Sequence, residues 1–594
     1  MDIWQRPLVM STHAMVSSGH YLATAAGQRI ILEGGNAVDA AAAVCFCLLV
    51  LNPHEAGLGG EVPTLIYSAR ERTVWALSGV GCTPRAFTID WCRAHGIDLI
   101  PGDGYLPACV PAEVGTWALA LERFGRLSFS QVLAPAIELA EEGFPMYAQL
   151  REVLLAVRGF LLERYPTTAA LYLPGRRVPE IGERVHNRDL ASVLRRLCQA
   201  EAAAAQHGRE AGLRAACDAF YRGAVAERIV EFIHTHPVLD ASGQPHTGLL
   251  EREDLAEWQA TLEQPLTLEY RGLTVHKCPA WTQGPVFLQQ LALLEGFDLR
   301  GMGLNSALYI HTIAECAKLA FADREAYYGD PRFDAAPWEV LLSPEYAARR
   351  RALVGEQASL ELRPGDAGRG TPDYVSFDVR GGHRRALGLE GPPTEGAGPA
   401  PGDTSHLDVV DAEGNMVAAT PSGGWLQSSP VIEGLGFPLG TRGQMFYLDP
   451  RRPNALAPHK RPRATLTPTL VTERGAGRLA FGMRGGDVQD QKTLQFFLAY
   501  AEFGLDPQAA ADAAVFHSTA FPSSFYPREG TPGGLVVEAR VGPAVIEELR
   551  ARGHALNVVP YARENVMGIE RDERHGVLRG GVASSGEQAY VLGW

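Results

Sequence analysis

Apolar residues follow one spacing in the longer first part of the chain and another after residue 404. Helical spacing is clearest in Ala40–Leu51 and Tyr309–Tyr328. In the second part, alternation and turn residues dominate, as in Thr465–Val471, and helical spacing returns near residues 490–503. The pattern predicts an α/β protein in which helices are layered on sheets, with a helix-rich first part and a strand-rich second part.

A glycine-rich turn, Gly57-Leu58-Gly59-Gly60, lies between the helix that ends at Leu51 and a predicted strand, Thr64–Tyr67. Such a turn could cradle a phosphate, but no Walker lysine follows it and the order of elements is helix, turn, strand. We therefore predict a tight turn whose glycines adopt positive φ angles.

A small hydroxyl residue, Thr404, stands where a predicted loop meets a predicted sheet. Residues 380–403 are rich in glycine and proline with scattered charge, which predicts a mobile loop without a core of its own. Leu407–Val409 and Met416–Ala419 flank a turn, and this order predicts strand, turn and strand.

The position of Thr404 allows two interpretations. If the chain is cut just before it, Thr404 carries both a nucleophilic hydroxyl and a free α-amino group. The pKa of such an amine is about 7.7–8.0, so it can take the hydroxyl proton near neutral pH. The alternative is that Gly402–Ser405 is only a turn that enters a strand.

Composition and charge exclude several classes of protein. The 594 residues are 46% hydrophobic and 21% charged, an ordinary globular balance. The net charge of −14 argues against a nucleic-acid surface, which needs clustered Lys and Arg. The N-terminal residues carry no secretory signal, and the longest apolar stretch, Ala40–Leu51, is too short to cross a bilayer. We expect no nucleic-acid partner and no membrane contact.

The nine cysteines are odd in number, all precede Thr404, and none forms a CxxC pair. This usage predicts reduced thiols in a cytoplasmic protein, neither disulfides nor zinc ligands. No metal or organic cofactor is expected, because an N-terminal nucleophile supplies its own base.

Eight different short motifs are spread along nearly the whole first part of the chain. They are Glu33–Ala40, Pro53–Gly60, Val110–Gly115, Arg123–Arg126, Ala134–Pro145, Leu293–Phe297, Phe321–Arg324 and Gly329–Pro331. Together with Thr404-Ser405-His406, this set resembles the γ-glutamyltranspeptidase family, a branch of the N-terminal-nucleophile (Ntn) hydrolases.

The resemblance implies a fold and a maturation step. The fold is the αββα sandwich of Ntn hydrolases, built from two fragments of one precursor. The cut is expected between Asp403 and Thr404, by an N-to-O acyl shift of the Thr404 hydroxyl onto the Asp403 carbonyl. It would give a large fragment, 1–403, and a small one, 404–594, which stay associated as a heterodimer.

The resemblance also implies the catalytic groups. Thr404 attacks the substrate and forms an acyl-enzyme, which water or an acceptor amine resolves. Gly485 and Gly486 match the family's pair of backbone N–H donors to the oxyanion. Ser422 matches the family's second hydroxyl.

The chain departs from the family where a γ-glutamyl group would bind. Val80 aligns with the arginine that holds the substrate α-carboxylate, and Gly424 with an asparagine. Phe446 and Tyr447 stand where an acidic residue meets the α-amino group, and Thr465 replaces part of a Ser-Ser pair. A glutamyl zwitterion would then be buried without partners, at severe cost. We therefore expect poor activity on γ-glutamyl substrates.

An amide or other acyl substrate with an apolar part would suit the aromatic residues Trp425, Phe446 and Tyr447. Trp425 could equally be a core residue. Arg484, beside the glycine pair, could bind a substrate carboxylate, although a solvent-facing salt bridge is the simpler alternative.

Several functions stay open at this point. The main hypothesis is a self-processing amide hydrolase or acyltransferase that acts on a small molecule. One alternative is a hydrolase of an unusual acyl or C–C bond in antibiotic biosynthesis, and another is a γ-glutamyl transferase or hydrolase of glutathione. The last, from a different class, is an unprocessed, inactive scaffold.

Overall fold

Two seven-stranded antiparallel sheets lie face to face at the centre of the protein. The structure is a computed structural model, and it describes residues 6–378, 404–561, 566–584 and 588–594. The loop predicted for residues 380–403 and the residue Asp403 lie outside these ranges.

Each sheet contains strands from both sides of residue 404. The first sheet has the strand order Val9–Ser11, Val577–Val582, Val566–Asp572, Ala476–Met483, Thr469–Glu473, Leu273–Lys277, Leu266–Tyr270. The second has the order Tyr590–Gly593, Met15–Ser18, Leu407–Val410, Met416–Ala419, Thr64–Ser68, Thr73–Leu77, Leu262–Glu263. Two smaller sheets pair Phe144–Pro145 with Arg184–Val185 and Val238–Leu239 with Pro245–His246. In a three-stranded sheet, the middle strand Gly534–Glu538 pairs with Phe516–Ser518 on one side and with Ala555–Val559 on the other.

Helices cover the outer face of both sheets. The described α-helices are Tyr21–Leu32, Ala37–Leu51, Ile89–Ala94, Glu113–Phe124, Phe129–Glu142, Ala148–Arg164, Pro166–Tyr172, Arg188–Ala204, Arg209–Tyr221, Ala224–Thr235, Arg252–Glu257, Pro285–Leu294, Leu299–Met302, Ala307–Tyr327, Trp338–Leu341, Pro344–Arg351, Gln489–Ala501, Pro507–Asp512 and Pro543–Ala551. Within the described ranges, no helix combines the length and the apolar character needed to cross a membrane.

Three apolar clusters account for the four layers. One packs the second sheet, through residues such as Val409 and Val417, against the helices near the N-terminus. Another packs the first sheet, through Val471 and Phe481, against helices that include Ala307–Tyr327. A third fills the space between the two sheets. Alternate residues of each strand point to opposite faces, so one strand serves two clusters. The αββα sandwich implied by the resemblance is confirmed.

Helix Ala37–Leu51 shows how local sequence sets these layers. Asn36 caps it by accepting hydrogen bonds from the backbone of Val38 and Asp39, and Asp39 accepts one in return from Asn36. Every residue of the helix is buried, which explains an apolar run without a polar face. The helices predicted from Ala40–Leu51 and Tyr309–Tyr328 are confirmed, each with a start a few residues earlier.

Candidate active site

Thr404 lies just before the central strand Leu407–Val410, as the sequence predicted. Its side chain is buried, and its Oγ1 lies 3.0 Å from the Oγ of Ser422. The backbones of the two residues form an antiparallel bridge, and the N–H of Ser405 donates to the carbonyl of Pro421. The structure therefore brings together the predicted nucleophile and the predicted second hydroxyl.

A buried ion pair stands behind Ser422. Nη2 of Arg442 donates to the Oγ of Ser422 at 2.9 Å, and Nε of the same guanidinium donates to Oε1 of Glu61 at 2.5 Å. Glu61 and Ser422 also exchange two backbone hydrogen bonds, each of 2.9 Å. Burial raises the pKa of the Glu61 carboxyl, and the charge and hydrogen bonds of Arg442 oppose that rise. Glu61, Arg442, Ser422 and Thr404 thus form one continuous chain of contacts.

The glycine-rich turn before Glu61 is required by close packing. A Cβ added to Gly60 would lie 2.7 Å from the carbonyl oxygen of Gly423, and one added to Gly57 would overlap the carbonyl of Gly424. The expectation of positive φ angles in this turn was wrong, because Gly57, Gly59 and Gly60 do not have them. The positive φ angles belong to Gly423 and Gly424 in the facing segment, at 75° and 61°. The turn lets two backbone segments meet beside Ser422.

Arg484 forms a second buried ion pair. Its Nη1 lies 2.8 Å from Oε1 of Glu55, and the side chain is only 9% exposed. Glu55 also accepts from Asn52 at 2.6 Å and from Gln149 at 3.1 Å. Burial raises the pKa of the Glu55 carboxyl, which Arg484 opposes. The alternative of a salt bridge is present in a buried form, facing the interior and not the solvent. A role for Arg484 at a substrate carboxylate stays a prediction.

An aromatic wall borders the Arg442 guanidinium. Its Cζ lies 5.4 Å from the ring centroid of Trp425 and 5.8 Å from that of Phe525, and the two rings are 6.3 Å apart. The indole N–H of Trp425 donates to the backbone carbonyl of Glu55 at 2.8 Å. Trp425 is therefore a buried residue that links both ion pairs.

The pair Gly485-Gly486 lies in the turn between strand Ala476–Met483 and helix Gln489–Ala501. Gly485 has φ of 105°, in the left-handed region that favours glycine. A Cβ on Gly486 would lie 2.5 Å from the ring of Phe525, so the aromatic wall and the glycine pair are in contact.

Asp487 anchors this turn. It accepts from the backbone N–H and the hydroxyl of Ser524, at 2.8 and 2.6 Å, and forms an ion pair with Arg324. These bonds hold the turn's backbone, the part that would supply N–H groups to an oxyanion.

His406, two residues after Thr404, fixes the start of the strand. Its Nδ1 lies 2.9 Å from Oγ1 of Thr420 and its Nε2 lies 3.0 Å from Oδ1 of Asp408. Oδ2 of Asp408 accepts from the hydroxyl of Ser17 at 3.0 Å. The ring lies directly over Gly482, which has no room for a side chain.

Two of the predicted substrate contacts lie in or near the core between the sheets. Val80 is fully buried in that core, among residues such as Trp281 and Leu466. Thr465 is buried, and its hydroxyl makes no hydrogen bond within the described part of the chain. Arg85, near Val80 in sequence, is exposed and pairs with Glu257.

The side chains of Phe446 and Tyr447 are both buried in the protein interior. Phe446 packs in a separate apolar cluster that includes Phe87 and Leu456. Tyr447 donates to Glu325, and its ring lies between the guanidinium groups of Arg452 and Arg528, with both Cζ atoms 4.1 Å from the centroid. Their proposed role at the substrate stays a prediction.

One group of side chains in the described ranges could hold a metal ion. It consists of His311, Glu315 and His554, whose possible ligand atoms lie within 4.8 Å of one another. Glu315, however, is already neutralised by Lys318 at 2.5 Å and by Arg363 at 3.2 Å. A divalent ion would add charge to a site that is already positive, so these contacts favour a structural polar cluster.

Sequence reasoning missed Glu61, Arg442, Glu55 and Phe525. Partners such as Glu61 and Arg442 are 381 residues apart in the chain, and no local spacing reveals such a pair. The glycine-rich turn was an available signal, because repeated glycine also marks close backbone approach.

Comparison with known proteins gives a family match over most of the chain. The family model described as Gamma-glutamyltranspeptidase matches residues 23–591. A glutathione hydrolase-like proenzyme of Bacillus subtilis, YwrD, is 32% identical over 593 residues, which are 98% of this chain and 99% of that protein. The solved structure of LmbA2991HD is 43% identical, with a TM-score of 0.91 and full coverage of both chains. That of cephalosporin acylase from Bacillus halodurans is 29% identical, with a TM-score of 0.82 and coverage of 100% of this chain and 97% of that one.

Proposed function

The chain belongs to the gamma-glutamyltranspeptidase family, and on that premise we propose that it is a self-processing hydrolase whose nucleophile is Thr404. It is an enzyme of the γ-glutamyltranspeptidase-like Ntn hydrolase class. The observation that carries the proposal is the buried 3.0 Å contact between the hydroxyls of Thr404 and Ser422 at the start of a central strand. The word proenzyme in the name of the Bacillus subtilis relative supports maturation by cleavage.

The proposed chemistry has two stages that use the same oxygen. In the first, Oγ1 of Thr404 attacks the carbonyl carbon of Asp403, and the peptide C–N bond breaks, which frees the α-amine of Thr404 and leaves an ester. Hydrolysis of that ester releases the Asp403 carboxylate and restores the Thr404 hydroxyl. In the second, that amine accepts the hydroxyl proton while Oγ1 attacks the substrate carbonyl. The N–H groups of Gly485 and Gly486 are the proposed oxyanion donors, and each such donor contributes about 2.7–4 kcal/mol to lowering the barrier.

The proposed substrate is an amide or acyl compound without a γ-glutamyl zwitterion. Val80 is a core residue and Arg85 pairs with Glu257 at the surface. The two arginines near Trp425, Arg442 and Arg484, are each paired with a buried glutamate. A substrate α-carboxylate would therefore have to compete with a protein carboxylate for either guanidinium.

Maturation is tested first. Purified protein should give two fragments on a denaturing gel, and N-terminal sequencing of the smaller one should begin at Thr404. Thr404→Ala should stay whole and inactive. The control is Ser405→Ala, which removes the neighbouring buried hydroxyl, one that makes no hydrogen bond in the described structure; this variant should still mature. Cleavage in Thr404→Ala, or an intact active wild type, would contradict the proposal.

Substrate class is tested with a series of p-nitroanilides that share one leaving group. N-acyl anilides with neutral, apolar acyl groups should be hydrolysed faster than γ-glutamyl p-nitroanilide. A second candidate function, hydrolysis of glutathione, is favoured by the name of the Bacillus subtilis relative. Efficient turnover of the γ-glutamyl compound would support that candidate and contradict the substrate proposal.

A further inference from the structure

Arg442 reaches the nucleophile through a single hydroxyl. Its Nη2 donates to Oγ of Ser422 at 2.9 Å, and that Oγ lies 3.0 Å from Oγ1 of Thr404. A guanidinium has five N–H donors and no acceptor. The hydrogen bond therefore occupies a lone pair of Ser422 and leaves the proton of Ser422 unused by Arg442.

The direction of this bond matters when Thr404 reacts. As Oγ1 of Thr404 gives up its proton, it gains negative charge and becomes a stronger hydrogen-bond acceptor. The hydroxyl of Ser422 is within reach to donate to it, and a hydroxyl that accepts from a cation is a better donor because hydrogen bonds in a chain polarise one another. The charge of Arg442 thus favours the reactive form of the nucleophile.

The surroundings hold the guanidinium in this geometry. Arg442 and Glu61 are 2% and 3% exposed, so their ion pair is in a medium where charges interact strongly. Glu61 is itself fixed by two backbone hydrogen bonds to Ser422. The rings of Trp425 and Phe525 border the guanidinium. A buried arginine so constrained has little freedom to leave Ser422.

We infer that Arg442 is a positioning residue of the active site, which acts through Ser422 to stabilise negative charge on Oγ1 of Thr404 as that oxygen attacks. The inference rests on the proposed role of Thr404 as the nucleophile. It adds the Glu61–Arg442 ion pair to the groups that act on the reacting oxygen, and the contact runs through the hydroxyl of Ser422.

The test uses p-nitrophenyl acetate, which needs no knowledge of the natural substrate. In the expected step, Oγ1 of Thr404 bonds to the acetyl carbon and the ester bond to p-nitrophenol breaks. The hydroxyl proton passes to the α-amine and p-nitrophenolate leaves. Mass spectrometry of the fragment 404–594 follows acetylation, and lability to hydroxylamine distinguishes the Thr404 ester from an acetylated amine.

Two variants separate charge from geometry. Arg442→Met removes the charge, and it should slow acetylation about tenfold or more. It should also move the acid limb of the pH–rate profile upward by about one pH unit, because loss of a nearby cation makes the protonated α-amine easier to form. Arg442→Lys keeps the charge, so its limb should stay near that of the wild type while its rate falls.

A double-mutant cycle tests the route through Ser422. If Arg442 acts through that hydroxyl, Arg442→Lys should slow acetylation much less in a Ser422→Ala background than in the wild type. The matched control is Arg461→Lys, which alters another buried arginine, paired with Asp330 at 2.9 Å. It should change thermal stability without moving the pH–rate profile. The cycle needs only the lysine variant, so the test survives if Arg442→Met fails to fold.

The possible outcomes are distinct. The inference is supported if the acid limb of the pH–rate profile moves upward in Arg442→Met and the effects of Arg442→Lys and Ser422→Ala depend on each other. If the wild type matures and is acetylated at Thr404, but the effects of Arg442→Lys and Ser422→Ala are independent, the inference is wrong and the proposed function stands. If the wild type is neither cleaved nor acetylated, both the inference about Arg442 and the proposed function are wrong.

Discussion

At the scale of single residues, the packing around Thr404 depends on glycines, which have no side chain, as much as on the side chains that contact it. Gly60 allows the backbone before Glu61 to pack against Gly423, and Gly482 gives the ring of His406 its place. Each contact fixes a group within two residues of Thr404 or Ser422. Precise placement of this kind is what a nucleophile and its hydrogen-bond partner require.

Gly482→Ala should therefore disturb the site without touching it directly. The added Cβ would lie 2.6 Å from Nε2 of His406, so the ring must move away from Thr420 and Asp408. We expect a loss of about 1–3 kcal/mol in the free energy of unfolding, as for other overpacked cores, and slower maturation at Thr404. Thermal denaturation and a time course of fragment formation measure the two effects.

The matched control for this variant is Gly159→Ala. Gly159 lies within helix Ala148–Arg164 and has open space around its Cα. Alanine should stabilise that helix by about 0.5–1 kcal/mol and leave maturation unchanged. Normal stability and normal maturation in Gly482→Ala would show that the His406 ring has more room than its contacts indicate.

Sequence reasoning found the residues of this site unevenly. Thr404 and Ser422 were predicted together, because the resemblance supplied both and the strand pattern located Thr404. Arg442 and Glu61 were not, since an ion pair formed across the fold leaves no trace in local spacing. The glycine-rich turn was noticed but explained by backbone angles, whereas its cause is the approach of a second segment.

At the scale of elements, helix Ala37–Leu51 joins the outer layer to the strand that follows Thr404. The backbone N–H of Ala37 donates to Asp411, at the end of strand Leu407–Val410, at 2.9 Å. The carboxylate of Asp39 also accepts from the backbone of Arg126. The cap of this helix thus connects three segments that are distant in sequence.

Asn36→Ala should weaken this connection. Asn36 accepts from the backbone of Val38 at 2.9 Å and donates to the carbonyl of Phe124 at 2.7 Å. Loss of a cap costs about 0.5–2 kcal/mol, and burial places this one toward the upper end. Ser128→Ala removes a more exposed cap, from helix Phe129–Glu142, and should lower the melting temperature less. Equal effects of the two variants would contradict the role assigned to Asn36.

The end of this helix at Leu51 was predictable because its apolar run is a local signal. The order of strands was not. Val9–Ser11 pairs with Val577–Val582, nearly the whole chain away, and alternation within a strand does not identify its neighbour. The four-layer arrangement was therefore implied only by the family resemblance.

At the scale of the whole molecule, the expected cut at Thr404 falls between segments that share both sheets. Strand Leu407–Val410 pairs on one side with Met15–Ser18. In the other sheet, Thr469–Glu473 pairs with Leu273–Lys277. The core between the sheets draws residues from both sides of residue 404. Separation of fragments 1–403 and 404–594 would break backbone ladders in both sheets and expose that core.

The cleaved protein should consequently behave as one particle. We expect mature wild type and uncleaved Thr404→Ala to elute at the same volume in native size-exclusion chromatography, although a denaturing gel resolves two fragments only in the wild type. The fragments should part only at denaturant concentrations that unfold the sheets, because the buried apolar area between them is part of the folding core. Elution of either fragment alone in native buffer would mean that the shared strands do not hold the halves together.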